Sequence, residues 1–169
     1  VVSPLIALMK DQVYNLKKRG INAVAIYSGM HYKDIDRAFD NCIHGKVKFL
    51  YLSPERLTSD LARARIEQMT VNLLAIDEAH CISQWGYDFR PSYLEIINVR
   101  ELMPKTPVMG LTATATSEVV KDIQERLEFK RKNVFRKSFS RENLAYVILH
   151  ESGKLTKLNE IVSNVLGSG

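Results

Sequence analysis

Apolar residues recur along this chain in two rhythms. Short runs at 23–27, 49–52, 73–76 and 108–111 alternate with longer stretches in which apolar positions return every three or four residues. The runs predict buried strands and the spaced stretches amphipathic helices. The first helix is marked by Leu5, Leu8, Met9, Val13 and Leu16, entered through Ser3-Pro4 and closed by Gly20. A second carries Ile35, Ala38, Phe39, Cys42 and Ile43 and stops at Gly45. Ser53-Pro54-Glu55-Arg56 repeats the Ser-Pro entry and opens a helical stretch to about Met69, and another helix runs from Pro91 towards Met103. Residues 112–116 cap a helix bearing Val119, Val120, Ile123 and Leu127. Residues 133–139 and 144–149 are β-prone, and a last helix carries Leu155, Leu158, Ile161, Val162 and Val165. Strands alternating with helices argue for an α/β fold, a parallel sheet with helices on both faces.

The strand at Leu73 ends abruptly in acid: Leu73-Leu74-Ala75-Ile76 runs straight into Asp77-Glu78-Ala79-His80. A buried parallel strand delivers such charge to its carboxyl end, where open α/β sheets bind ligands. Phosphoryl transfer needs a carboxylate to hold Mg²⁺ and a second group to orient the attacking water, roles open to Asp77 and Glu78. An ordinary strand ending in a solvated acidic turn reads the same over four letters.

Composition narrows the field. At 169 residues the chain can bury one core, and 46% hydrophobic with 25% charged residues is ordinary for a globular protein. No apolar run approaches the roughly 18 residues of a membrane span, and no charged-then-apolar leader opens the chain. Val1-Val2-Ser3-Pro4 reads as the tail of a strand in progress, so the chain is expected to start mid-domain. Two cysteines, Cys42 and Cys81, supply no second pair for a zinc site or a disulfide framework and suit a reducing compartment. A net charge of +5 permits a polyanionic partner without requiring one. Lys17-Lys18-Arg19 and Lys130-Arg131-Lys132 each follow a helical pattern, where cations either complement the helix dipole or meet phosphate.

The residues after the acids are more specific. Asp77-Glu78-Ala79-His80-Cys81-Ile82-Ser83-Gln84-Trp85-Gly86-Tyr87-Asp88-Phe89-Arg90-Pro91 resembles the RecQ family of superfamily 2 DNA helicases, with Tyr87 where a His is usual. In that family motif II continues into an aromatic-rich loop that senses single-stranded DNA. Trp85 and Phe89 offer faces on which bases stack, worth roughly 1–3 kcal/mol each. Arg90 can neutralise a phosphate, Gln84 adds a polar contact, and Gly86 allows the turn that aims them. The segment from Ser3 to Gln12 is similar to motif Ia, with Ser3 near the DNA backbone. Ser53-Pro54-Glu55-Arg56 looks like motif Ib, Arg56 meeting either a phosphate or an acid. Thr112-Ala113-Thr114 looks like motif III, whose hydroxyls can contact Glu78 or His80. Phe139 to Leu144 resembles the segment joining the two helicase lobes.

The resemblance implies a RecA-like first helicase lobe of the P-loop NTPase class over residues 1–150, with 151–169 opening the second lobe. It implies ATP and Mg²⁺ as cofactors, the latter through Asp77, with Asp77, Glu78 and His80 catalytic. It implies single-stranded and partly duplex DNA as partner, and a cytoplasmic, nucleoid or nuclear location without a membrane. No G-x-x-x-x-G-K-[ST] phosphate loop occurs in the sequence. The lobe therefore lacks its phosphate-loop strand, and the isolated chain is expected to hydrolyse ATP negligibly and to self-associate through uncovered strand edges. Two rivals stand beside this reading: another superfamily 2 enzyme such as an RNA helicase, and a catalytically inactive nucleic-acid-binding or interaction module.

Overall fold

Four short strands carry the molecule's main unit. β1 (Ala23–Ile26) pairs in parallel with β2 (Phe49–Leu52), Ala23 opposite Phe49 and Ile26 opposite Leu52. β3 (Leu74–Ile76) pairs in parallel with β4 (Val108–Gly110), Ile76 opposite Gly110. Residues 1–3 link the two pairs by backbone hydrogen bonds. The Val2 N–H donates to the Ala75 carbonyl (2.8 Å), and the Val2 carbonyl accepts from Asp77 N–H (2.9 Å). On the other side Leu52 N–H donates to the Val1 carbonyl (2.9 Å) and Ser3 N–H to the Leu52 carbonyl (3.1 Å). The stretch is thus a strand stub, and the order across the sheet is β1, β2, residues 1–3, β3, β4. Next to Val1, between β2 and β3, lies a cavity of about 700 Å³ lined by Leu50, Leu52, Leu74, Ala75 and Met109 among others.

This computed structural model describes residues 1–86, 88–137, 143–145 and 147–164. The chain divides into two compact units, Val1–Lys132 and Asn133–Gly169.

Alternation along the strands gives the sheet two covered faces, as expected. Ala23, Ala25, Tyr27 and Tyr51 point to one side, where Met9 and Val13 pack; Ile26, Leu50 and Leu52 point to the other, into the larger core. The first face is covered by α1 (Ile6–Lys18). The second is covered by α2 (Tyr32–Ile43), α3 (Asp60–Glu67), α4 (Glu95–Leu102) and α5 (Ser117–Arg126), which contribute Phe39, Ile66, Ile96, Val99, Val119 and Ile123. Arg65 fastens α3 to α2 through Asp36 (2.6 Å) and Asp40 (2.9 Å).

Several expectations are corrected in detail. α1 begins two residues later than Ser3-Pro4 suggests, because Ser3 still belongs to the strand stub; Leu5, at the cap position, makes no side-chain cap bond. Only Met9 and Val13 of its apolar stripe are buried, while Leu5 and Leu8 are exposed. Gly20 does close the chain behind it, at φ +73°. The single helix expected after Ser53 is two pieces: a 3₁₀ turn (Pro54–Thr58) and then α3, whose new start is capped by Ser59 Oγ accepting from Ala62 N–H at 3.3 Å. A 3₁₀ turn (Pro91–Leu94) likewise leads into α4. Thr116 caps α5, accepting from Val119 N–H at 3.4 Å.

The second unit holds α6 (Lys154–Asn164), none of whose residues is buried. Among the described residues of 133–139 and 144–149 there is no strand; β-prone residues need a partner strand, and Phe135 and Ile148 stand almost fully exposed. Most of the segment from Phe139 to Leu144 lies outside the described residues. No described helix is long and apolar enough to cross a membrane.

Candidate active site and its aromatic loop

β3 is fully buried, and its end carries Asp77 out of the sheet. Asp77 is then held from four directions. Its N–H donates to Val2. Its Oδ2 accepts the Ser3 hydroxyl (3.0 Å) and its Oδ1 the Glu78 N–H (3.0 Å). Its main-chain carbonyl accepts the hydroxyl of fully buried Tyr93 at 2.9 Å. Glu78 follows in the left-handed region, at φ 49° and ψ 43°. A side chain there costs on the order of 1–3 kcal/mol, and such strain persists where the surroundings over-determine it. The strained turn aims the Glu78 carboxylate at the His80 ring.

His80 Nδ1 lies 3.0 Å from Thr112 Oγ1 and 3.3 Å from Glu78 Oε2. A ring N–H at Nδ1 can serve the carboxylate or the hydroxyl, so Glu78, His80 and Thr112 form one exchangeable set. Thr112 is positioned because β4 runs beside β3: Leu111 N–H donates to the Ile76 carbonyl (2.8 Å) and Ala79 N–H to the Leu111 carbonyl (2.9 Å). Thr114 is exposed; its N–H donates to Thr112 Oγ1 at 3.3 Å.

The donor set suits a hard cation. Each Asp77 oxygen accepts one hydrogen bond, and a carboxylate offers about four acceptor positions in all, so half of its capacity is left for an ion.

A 3₁₀ turn (Ala79–Ile82) buries Ala79, Cys81 and Ile82, and the aromatic loop departs from it. Its neck is pinned by Arg90 N–H donating to the Cys81 carbonyl (3.0 Å). Trp85 N–H donates to Ser83 Oγ (3.2 Å), and Ser83 is itself fully buried. Gly86 passes so close to the His80 carbonyl that a Cβ there would collide with it, so close approach is what calls for glycine. Trp85 is 78% exposed, Gln84 is exposed and Phe89 half-buried, while Tyr87 lies outside the described residues. Arg90 makes an ion pair with Asp88 through Nη2 (2.8 Å) and Nε (3.1 Å), which holds the Asp88 carboxyl below the usual carboxylate range.

Two residues expected to meet DNA make hydrogen bonds within the fold. Ser3 is 3% exposed and faces Asp77, not the surface. Arg56 is half-buried; its Nε donates to the Tyr27 carbonyl at 3.1 Å and clamps the end of β1. Tyr93 has no role in the sequence analysis, and Cys81 and Asp88 stand there as members of the motif without a site role. Their only sequence signal is proximity to the acids.

The model of the DEAD/DEAH box helicases matches residues 1–123. The chain belongs to that family. It is 47% identical over 165 residues to the ATP-dependent DNA helicase RecQ of Bacillus subtilis, covering 97% of this chain and 28% of that protein. Against the RecQ helicase of Pasteurella multocida it is 38% identical, covering 99% of this chain and 26% of that protein. A putative ATP-dependent RNA helicase of Acanthamoeba polyphaga mimivirus is 42% identical over 146 residues, covering 85% of this chain and 26% of that protein. The chain therefore spans between a quarter and a third of each of these relatives. The helicase domain of Pyrococcus furiosus Hef superposes with a TM-score of 0.55 at 19% identity, over 78% of this chain and 28% of that one. That likeness shows the fold: the helicase-domain fold, with its parallel strands covered by helices.

Proposed function

We propose that this chain works within a longer ATP-dependent DNA helicase, moving 3′ to 5′ on single-stranded DNA and unwinding duplex during repair and recombination. Residues 1–150 are read as part of the first RecA-like lobe and 151–169 as the opening of the second. The observation that carries the proposal is one continuous assembly. Asp77, Glu78, His80 and Thr112 are linked at the end of β3, and the same chain passes within a few residues into a loop holding Trp85 78% exposed.

In this reading Asp77 would hold Mg²⁺, which when bound neutralises charge on the phosphates of ATP. Glu78 accepts the proton of the attacking water. His80 exchanges between Glu78 and Thr112, passing the state of the site to residues 112–114. Trp85 and Phe89 take bases by stacking, Gln84 adds a polar contact, and Arg90 turns from Asp88 to a phosphate. Such a protein acts where DNA is, in the cytoplasm of a bacterium or in a nucleus.

The test is ATP hydrolysis by the intact helicase with and without single-stranded DNA, beside its Glu78→Gln and Trp85→Ala variants. Stimulation by DNA that Glu78→Gln abolishes, and that Trp85→Ala loses while still binding DNA, supports the proposal. DNA binding without any hydrolysis would leave a nucleic-acid-binding module instead. Because a putative RNA helicase is among the relatives, single-stranded RNA belongs beside DNA in the same assay; stronger stimulation by RNA would favour that enzyme class. The 169-residue chain alone is expected to turn over ATP negligibly. It is also expected to self-associate, since residues 1–3 bridge β2 and β3 only along a short stretch beside the 700 Å³ cavity. A monomer of high thermal stability by sedimentation and melting would contradict the latter.

A further inference from the structure

We propose that His80, Cys81 and Asp88 form a site for one thiophilic divalent cation of the zinc class, bridging the strand-end histidine and the aromatic loop. Sequence spacing gave no zinc motif, because Cys42 and Cys81 have no second cysteine pair beside them; the fold supplies the ligands from one short turn and the loop returning past it. His80 Nε2 lies 3.7 Å from Cys81 Sγ, Cys81 Sγ lies 4.0 Å from Asp88 Oδ2, and all three atoms fall within 4.8 Å of one another. Around a tetrahedral zinc ion with bonds of about 2.0–2.3 Å, ligand atoms stand about 3.3–3.8 Å apart. The atoms need to close by up to about 1.5 Å to share an ion.

The second nitrogen of His80 strengthens the case. Nδ1 is engaged by Thr112 and by the Glu78 carboxylate, which fixes the ring and directs Nε2 towards the thiol. A carboxylate behind a ligating imidazole is the support that metal-bound histidines ordinarily have. Asp88 is exposed, so the site opens to solvent on its side and a water can complete the fourth position. On binding, the thiol gives its proton to solvent and the sulfur becomes the ligand. The ion also takes the carboxylate oxygen now shared by Arg90 Nε and Nη2, and so competes with the Arg90 ion pair. An ion here would tie the loop to the turn beneath it. The site and its test stand apart from the helicase reading.

Cobalt(II) titrated into the reduced 169-residue chain tests this. Expected is a thiolate-to-cobalt charge-transfer band in the near ultraviolet that Zn²⁺ displaces and excess Mg²⁺ does not. The band is expected to survive in Cys42→Ser and to vanish in Cys81→Ser. Since Cys81 is buried and its replacement can disturb folding, exposed Asp88→Asn provides the second variant, expected to weaken cobalt binding by about tenfold or more with an unchanged circular dichroism spectrum. No band in the wild-type chain, a band lost with Cys42→Ser, a band kept in Cys81→Ser, or an Asp88→Asn chain binding cobalt as tightly as wild type would each overturn the proposal.

Discussion

The acids at the end of β3 and the aromatic loop that follows them are near neighbours built in opposite ways. Asp77 is gripped by Val2, Ser3, Tyr93 and the N–H of Glu78, and Glu78 is kept in a left-handed conformation that no side chain prefers. The loop is fixed chiefly at its neck, through Arg90 to Cys81 and Trp85 to Ser83, and presents its tryptophan to solvent. Groups that act on a reacting phosphate gain from being held before the substrate arrives. Groups that meet a flexible strand gain from being open to it. On the proposed function this is a division between a fixed chemical end and an adaptable sensing end, and each half can be tested separately.

The largest expected effect separates them outright. In the intact helicase, Glu78→Gln should lower DNA-stimulated ATP turnover by about 10²–10⁴-fold while DNA affinity is kept; turnover above a tenth of wild type would move the proton acceptor elsewhere. Trp85→Ala should do the converse, leaving basal turnover in place, abolishing its rise with single-stranded DNA and weakening binding by no more than the roughly 1–3 kcal/mol of one stacked base. Equal loss of basal and stimulated turnover would show that the loop is part of the rigid half.

Smaller effects probe the grip itself. Tyr93→Phe leaves the buried Asp77 carbonyl without the Tyr93 donor and should cost about 1–3 kcal/mol in urea unfolding of the 169-residue chain, with an unchanged m-value. Glu78→Gly should be more stable than Glu78→Ala by about 1 kcal/mol, because glycine adopts the left-handed backbone without the Cβ penalty. Equal stability would mean that the turn relaxes in the variant and that the wild-type strain is not enforced by its neighbours.

The smallest effect concerns alkali. Burial pushes the Cys81 and Cys42 thiols up to about 11 and raises the Tyr93 phenol above its usual range. The folded chain holds these protons more tightly than the unfolded chain. Their contribution is therefore full below the ordinary thiol value of 9.0 and is lost as pH rises from there through about 11. Melting temperature should fall over that window, with a shallower fall in Tyr93→Phe.

Much of this arrangement was legible from the letters. Apolar runs located all four strands, since a short uninterrupted run has few other places to go. The acids at a strand end placed Asp77 and Glu78, and the stacking face expected of Trp85 agrees with its exposure. What escaped were contacts made across long separations. Ser3 reads locally as a helix cap, but its hydroxyl is claimed by Asp77. Arg56 reads as a surface cation, yet it closes the end of β1. Leu5 and Leu8 fit a helical stripe and yet are exposed, Leu8 on the wall of the cavity beside the stub. The β-prone residues after Lys132 show the same limit in reverse: propensity without a partner strand makes no sheet.

The strand stub has a kinetic consequence. Val2 bridges to Leu52 and to Ile76, so the bond between the two sheet halves closes loops of about fifty and seventy-odd residues. During synthesis Val2 leaves the ribosome well before either partner, and it must wait, unpaired, until both hairpin-free halves have emerged. Contacts of such long sequence separation are the slow ones. Amide exchange labelled during refolding should find Val2 and Asp77 protected late, after the helices, which would make the Asp77 end of the sheet the last part of this unit to acquire its shape.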